Sequence, residues 1–366
     1  MLACLLALQI TIKADFPGGS VRVESIEGNV IRVLPALHPD RGWTCWWYFK
    51  VEGATPGAAL TVDVGGGVWA TPDRAVISAD DQTWAHTAPG KREKDRIAYA
   101  IEAPAAAFWL AWGPPFTLRH ARELLGDRAF ELCKSRDGHS VPALRIKEGE
   151  PKHAIWVHAG QHAWESGARW VGRGFCEFVL SDDRRAAALR KAAEIVFVPI
   201  MDVDNVERGA GGKECKPQDH NRDWSDDPYW PEVRAAQAQI RAMGARFKVF
   251  VDLHNPGPGK GDQAPYFYTA PAEILSDAAR KNVELFLEAS RAEITGPLAL
   301  TGKPRESGAS YDKDWERISK NWVSKTAGDG VVAVTLETTW NSPHSTTENY
   351  LRVGRELGCA IERFLR

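Results

Sequence analysis

Three residues of the sequence are of the types that bind zinc in hydrolytic enzymes. His162 and Glu165 stand three positions apart in the segment HAWE, and His254 closes the apolar run FKVFVDLH. Two imidazoles and one carboxylate leave a fourth zinc position for water, which is the arrangement of a catalytic site. Because HxxE alone is common by chance, the prediction of one Zn2+ per chain depends on His254 reaching the same point.

Glu337 is a further carboxylate in an unusual place, since it lies in the run VVAVTLETTW, whose composition suits burial on both faces. A buried glutamate is costly unless it is paired or works beside a metal ion. Its pattern therefore predicts a carboxylate that is associated with the metal site. The alternative is a structural ion pair with an arginine.

A polar cluster, Asp219 to Trp224, separates the two zinc-ligand segments. Arg222 could clamp a carboxylate with its planar pair of donors, and Asn221 could add a hydrogen bond. The alternative is a solvated loop, since Asn and Asp favour turns. Two other histidines are not expected to bind metal: His158 lies within a strand, where four-residue spacing does not converge with His162, and His220 is predicted to be structural.

The elements that would position these side chains are alternating strands and helices after about residue 116. Short apolar runs predict strands buried on both faces: AIWVHAG, EIVFVPIMD, FKVFVDLH, APYFYTA and VVAVTLETTW. Helical stretches are predicted between and after them, at Gly167–Leu180, Pro231–Met243, Ala272–Ile294 and Thr347–Leu365. This alternation predicts an α/β/α domain with a mixed, mostly parallel sheet over residues 116–366, with functional groups at the strand ends.

The preceding residues, 10–113, read instead as strands separated by Gly, Pro and Asp turns, and they predict an antiparallel β-sandwich domain. Gly113-Pro114-Pro115 is the expected boundary. The apolar N-terminal stretch Leu2 to Ile10 is too short to span a membrane. It is interpreted as leading into a first strand in a cytoplasmic protein, with an export signal from Met1 to about Ala14 as the alternative.

Composition excludes little. The 366 residues carry a formal net charge of -2 and no basic cluster, which argues against nucleic-acid or membrane partners. The six cysteines are scattered without a CxxC pair, so reduced thiols are expected rather than a disulfide framework.

In this order, His162 with Glu165, Asn221-Arg222, His254 and Glu337 resemble the motif series of the zinc carboxypeptidases. FPGGSVRVES, TCWWYFKVEG and FWLAWGPPFTLRHARELL are similar to the β-domain of the cytosolic carboxypeptidase branch. The resemblance implies removal of C-terminal residues, in some relatives glutamates, from peptides or protein tails. It implies zinc on the first three ligands, Glu337 as general base, and Arg222 with Asn221 on the terminal carboxylate.

The sequence departs from the family at the arginine that stabilises the oxyanion, which stands upstream of Asn-Arg in relatives. The segment GAGGKECKPQ contains no arginine. Arg208, Lys213 and Lys216 therefore remain candidates for this part of substrate binding.

A second departure concerns the mobile tyrosine of digestive relatives. Ser307 to Asp312 resembles the segment that follows that tyrosine, yet Pro304 and Arg305 stand where it would be expected. Tyr311 then falls at the position that lines the side-chain pocket. It is a candidate for setting specificity or for replacing the missing phenol, and a packed loop tyrosine is the alternative.

Two other functions remain open from the sequence. One is a zinc amidohydrolase of the same fold that acts on small acylated amino acids. The other is a module that binds C-terminal tails without cleaving them, against which a buried general base argues. The preferred terminal residue is not fixed: Lys320 and Lys325 could favour acidic side chains, but charged residues on a helix are usually solvated.

Overall fold

A computed structural model describes residues 10–257 and 264–366. The apolar segment through Gln9, and with it most of the predicted export signal, lies outside these residues, so the cellular compartment stays a prediction. A first strand does run over Thr11–Lys13. Among the helices within the described ranges, none is long and apolar enough to cross a membrane.

Ten short strands form two five-stranded sheets, with the orders β1-β4-β10-β6-β7 and β2-β3-β5-β9-β8. The strands are β1 (Thr11–Lys13), β2 (Arg22–Glu27), β3 (Val30–Leu34), β4 (Tyr48–Glu52), β5 (Ala59–Val64), β6 (Val76–Ser78), β7 (Ala85–His86), β8 (Lys91–Glu93), β9 (Arg96–Glu102) and β10 (Ala107–Ala111). Neighbouring strands in these sheets run antiparallel, except that β3 and β5 are parallel, so the predicted antiparallel arrangement contains one parallel pair. Within the segment TCWWYFKVEG, the strand begins only at Tyr48.

Alternating side chains give this region one core. In β3, Ile31 and Val33 are buried while their neighbours are partly exposed, as the two-residue period of a strand requires. They share a hydrophobic cluster with Trp47 and Phe49 around β4, which belongs to the other sheet. Both sheets therefore pack on a common interior.

Eight further strands form one sheet, in the order β11-β12-β14-β13-β15-β18-β16-β17. They are β11 (Ala129–Lys134), β12 (Ser140–Ile146), β13 (His153–Ala159), β14 (Ala193–Val198), β15 (Phe247–His254), β16 (Tyr266–Thr269), β17 (Arg305–Glu306) and β18 (Val332–Glu337). The pairs β13/β14, β13/β15, β15/β18 and β16/β17 are parallel. The predicted mixed, mostly parallel sheet is confirmed.

The helices are α1 (Leu118–Leu125), α2 (Ser166–Leu180), α3 (Arg184–Ala192), α4 (Val203–Arg208), α5 (Pro231–Met243), α6 (Asp277–Glu293), α7 (Ser319–Thr326) and α8 (Thr347–Leu365). They cover both faces of the sheet. A Cβ at Gly172 of α2 would lie 3.5 Å from Leu253, whereas Asp252, the preceding residue of β15, accepts a hydrogen bond from Ser319 of α7. Neighbouring strand residues point to opposite faces, so α2 and α7 lie on opposite sides of the sheet.

One predicted helix is shorter than expected. The stretch Ala272–Ile294 begins with a short 3-10 turn, and α6 starts only at Asp277. The Ser276 side chain accepts a hydrogen bond from the Ala279 amide at 3.1 Å, which caps the helix at that point. The division between the two regions at Gly113-Pro114-Pro115 stays a prediction.

The sheet order shows where a site should lie. β13 has β14 on one side and β15 on the other, so the chain goes first from β13 to β14 and then crosses from β14 to β15 on the opposite side of β13. A crevice opens at such a switch point, beyond the carboxyl ends of the strands. His162 follows β13, while His254 ends β15 and Glu337 ends β18.

Candidate active site

The three predicted zinc ligands converge at this crevice. His162 Nδ1 lies 2.7 Å from Glu165 Oε1, and His254 Nδ1 lies 2.7 Å from Glu165 Oε2. All three residues are at least 95% buried. Their ligand atoms all lie within 4.8 Å of one another. Although His254 lies 89 positions after Glu165 along the chain, the three residues present one compact donor set.

The loop after β13 places the first two of these residues. Gly160 has a positive φ of 73°, which lets the chain turn sharply beyond the strand. The Glu165 amide donates to the His162 carbonyl at 3.3 Å, and α2 begins at the next residue. The pair lies in the turn that leads into α2, and Glu165 is the N-cap residue of that helix. That turn brings the imidazole and the carboxylate together.

Carboxylates outside the proposed set of zinc ligands orient both imidazoles. His254 Nε2 lies 2.9 Å from Asp252 Oδ2, and His162 Nε2 lies 3.5 Å from Asp219 Oδ1. With the far nitrogens facing carboxylates, each Nδ1 is directed towards Glu165, as is usual for metal-binding histidines. Burial raises the pKa of Glu165, but the two histidines outweigh it and hold that pKa at about 2.

The residues present fit a zinc ion. Two imidazole nitrogens and one ionised carboxylate form the donor set of hydrolytic zinc sites. His158 does not join them: its Nδ1 accepts from Trp156 Nε1 at 2.7 Å, and its Nε2 lies 2.9 Å from Asp252 Oδ1. His158 lies outside the group of converging ligand atoms.

Arg222 and Asn221 lie beside the triad, in the 3-10 turn His220–Arg222. Arg222 donates from Nε at 3.0 Å and Nη2 at 2.9 Å to Asp312, and from Nη1 at 3.0 Å to the Asn221 carbonyl. These bonds use three of the five guanidinium N–H groups, and Tyr311 also forms a side-chain hydrogen bond with Arg222. Asn221 is fixed by the Ser319 amide, which donates to its Oδ1 at 2.9 Å.

Glu337 is buried in the same place, with 8% of its surface exposed. Within residues 10–257 and 264–366, its Oε2 has no hydrogen-bond partner and no Arg or Lys forms an ion pair with it. Burial raises its pKa to about 7; Glu165 adds to this effect, while His254 opposes it. A carboxylate of this kind can accept a proton near neutral pH.

These side chains line one cavity, together with aromatic residues from both regions of the chain. A family model described as zinc carboxypeptidase matches residues 127–341, which is more than half of the chain. The chain belongs to the zinc carboxypeptidase family. The predicted enzyme class, a carboxypeptidase among the hydrolases, is confirmed at the level of the family.

Similarity to individual proteins covers more of the chain than residues 127–341. An uncharacterized protein of Zymomonas mobilis is 28% identical over 296 residues, covering 76% of this chain and 75% of that protein. Cytosolic carboxypeptidase-like protein 5 of Mus musculus is 21% identical over 313 residues, which are 66% of this chain but only 34% of the mouse protein. A metallo-carboxypeptidase of Burkholderia cenocepacia has the same fold, with a TM-score of 0.82, 21% identity and coverage of 96% and 97%.

The three candidates for the family's oxyanion residue lie in different places. Lys213 lines the cavity, with its Nζ 5.3 Å from the centre of the Trp43 ring. Arg208 instead pairs with Asp137 at 2.7 Å and is not among the lining residues. Lys216 lines a neighbouring surface pocket. Lys213 is thus the candidate that the structure brings to the triad.

Lys320 was expected to be solvated, but it is 1% exposed and lines the cavity. Its Nζ donates to Ser307 Oγ and, at 3.2 Å, to Asn321 Oδ1. Within the described ranges, no carboxylate forms an ion pair with it. Burial lowers its pKa to about 7. Lys325, by contrast, is a surface residue paired with Glu316 at 2.8 Å.

Tyr311 also lines the cavity and is 46% exposed. Its ring centre lies 5.1 Å from that of Tyr268, a residue of β16 that sequence reasoning did not single out. Trp43 and Trp69, from the N-terminal region, were missed as individual site residues as well. The sequence offers a weak signal for them, namely tryptophans in turns rather than in strands. His220 lies between Asp202 and Glu232 and is not among the lining residues.

Proposed function

We propose that this chain is a zinc-dependent carboxypeptidase that removes single residues from the C-terminus of peptides or protein tails. The observation that carries the proposal is Arg222, whose guanidinium group lines the same cavity as the triad and Glu337. A planar pair of donors matches a carboxylate. Free C-termini are therefore the ligands that suit this position.

A zinc ion held by His162, Glu165 and His254 would supply a Lewis acid and would lower the pKa of a water molecule. Glu337 accepts the proton of the attacking water and delivers it to the leaving amine nitrogen. Its buried and unpaired Oε2 suits this transfer. These roles also argue against a module that only binds tails, because binding alone does not need a proton acceptor.

Lys213 is proposed to stabilise the negative charge that develops on the scissile carbonyl oxygen. The ammonium group lines the cavity and replaces the arginine of other family members. A fixed positive charge in a partly dry site lowers the energy of such a transition state. Arg208 and Lys216 have no part in this proposal, because neither is a lining residue of that cavity.

Lys320 is proposed to favour an acidic side chain on the terminal residue. Its ammonium group is buried without an ion pair in the described part of the chain, and Tyr268, Ser307 and Tyr311 lie on the same side of the cavity. A carboxylate that enters this pocket would satisfy the charge. Tyr311 would then contribute a wall of the pocket.

The experiment compares one peptide with a free C-terminal carboxylate and the same peptide with a C-terminal amide. The zinc enzyme should remove one residue at a time from the acid and leave the amide intact. The Arg222→Met variant should lose this distinction, whereas Arg234→Met, a surface control, should retain it. Equal cleavage of acid and amide would refute the proposal, and cleavage of acylated single amino acids alone would favour the amidohydrolase.

A further inference from the structure

Two tryptophans from the N-terminal region reach the catalytic cavity. Trp43 lies between β3 and β4, and Trp69 lies between β5 and β6. Their ring centres are 4.2 Å apart, with planes inclined at 52°. Both are partly exposed, whereas Trp164 beneath them is buried. The pair thus presents an open aromatic corner to the cavity.

The aromatic corner is held in place relative to the triad. Trp164 directly precedes Glu165 in the chain. Its ring centre lies 6.3 Å from that of Trp43 and 5.9 Å from that of Trp69. The Trp112 indole donates to the Trp69 carbonyl at 2.8 Å. A subsite built from such fixed groups binds a ligand without a large ordering cost.

The backbone joins the same corner to the loop that carries Lys213. The Trp43 amide donates to the Lys213 carbonyl at 3.0 Å. A side chain at Gly211 would come within 2.1 Å of the Trp43 carbonyl oxygen, so this approach requires glycine. The N-terminal region and the catalytic loop therefore form one continuous wall.

Among the residues that line the cavity, two groups can be distinguished by the contacts that their members make with one another. Tyr268, Tyr311, Lys320 and Ser307 contact one another on the side of Arg222. The second group is formed by Trp43, Trp69 and Gly257, where a Cβ at Gly257 would lie 2.8 Å from the Trp69 ring. If Arg222 holds the terminal carboxylate, the side chain of the terminal residue lies against the first group. The second group is then available to the residue before the bond that is cut.

We infer that Trp43 and Trp69 form the subsite for the side chain immediately before the bond that is cut, and that this subsite prefers aromatic or large apolar side chains. The inference rests on the proposed carboxypeptidase function and adds a second determinant of specificity. Aromatic rings bind flat apolar groups through burial and edge-to-face contacts. The N-terminal region is thereby part of the substrate site.

The test uses two blocked dipeptides with the same C-terminal residue, one with phenylalanine and one with glycine before it. The wild-type enzyme should cleave the phenylalanine peptide with a kcat/KM at least about tenfold higher. Trp69→Ala and Trp43→Ala should each bring this ratio close to one, and Trp69→Phe should preserve most of it. Trp109→Ala is the matched control, because Trp109 is partly buried in β10 and is not among the lining residues.

If a tryptophan variant were only less well folded, kcat/KM would fall equally for both peptides and their ratio would stay at the wild-type value. That result would overturn the inference. A wild-type ratio close to one would overturn it as well. Calorimetric binding of both peptides to Glu337→Gln separates the inference from the proposed function. Tighter binding of the phenylalanine peptide that disappears in Glu337→Gln/Trp69→Ala supports the subsite even if the wild-type chain cleaves neither peptide.

Discussion

His254 and Glu337 are register partners at the carboxyl ends of two adjacent parallel strands, β15 and β18. The Thr338 amide donates to the His254 carbonyl at 2.9 Å, which ties the strands together at this point. A proposed zinc ligand and the proposed general base therefore emerge from the same edge of the sheet. Their separation is set by strand spacing rather than by a flexible loop.

Glu337→Gln should abolish turnover without removing the metal. The substitution keeps the shape of the side chain but removes its ability to accept a proton, so kcat should fall by about 100- to 10,000-fold. Zinc content should stay at the wild-type level, because Glu337 is outside the group of converging ligand atoms. Rate assays paired with elemental analysis of the same preparation check both parts. An unchanged kcat would exclude Glu337 as the base.

Lys213→Met should reduce kcat much more than it changes KM, because the charge it removes acts on the developing oxyanion. A loss of about 10- to 1,000-fold is expected for such a donor. Lys213→Arg should retain most of the rate, and Lys216→Met serves as the control from the neighbouring pocket. A larger loss in Lys216→Met than in Lys213→Met would move the role to the other lysine.

Lys320→Met should change the preferred C-terminal residue. Replacement of a buried cation by an apolar side chain removes the partner of an acidic substrate group, so the ratio of kcat/KM for glutamate over leucine should fall by about tenfold or more. Lys325→Met, on the surface of the same helix, should leave the ratio unchanged. Peptides that differ only in the last residue measure the effect. A wild-type enzyme with no preference for glutamate would contradict the assignment.

Stability should depend on pH through His220. Its ring lies 3.6 Å from Asp202 and 3.4 Å from Glu232 and stacks on Trp230. Burial lowers its pKa, but Asp202, Glu232 and Asp223 outweigh this and raise it to about 9. The protonated ring therefore stabilises the fold fully below the unfolded pKa, and this contribution is lost as pH rises through the folded value.

Urea unfolding from about pH 6.5 to about pH 9.5 should accordingly show a loss of stability on the order of 1–3 kcal/mol that is much smaller in His220→Gln. His344→Gln, which alters an exposed histidine, is the matched control. Equal pH dependence in wild type and His220→Gln would show that the ring does not carry this charge in the folded state.

The sequence was sufficient to predict the parallel strands of the larger sheet and the polar residues at their ends. Buried parallel strands are continuous apolar runs, so the polar residues that close them stand out, as His254 and Glu337 do. Helices with clear ends, such as Pro231–Met243, were predicted at their observed limits. The order of the motifs then led to the correct family.

Features that depend on distant contacts could not be predicted. Burial of Lys320 results from packing of α7 against β15 and β18, and no local pattern distinguishes it from Lys325. Asp252 and Asp219 were not singled out as partners of the histidines, since sequence spacing does not show which imidazole each faces. Trp43 and Trp69 reach the cavity only through the contact between the two regions.

The most direct test of the central claim is the zinc content of the purified chain, measured together with trimming of a peptide library before and after chelation. We predict about one zinc per chain and the loss of single C-terminal residues, which chelation stops and added zinc restores. A chain that binds no zinc after reconstitution, or that trims equally well after the metal has been removed, would contradict the account.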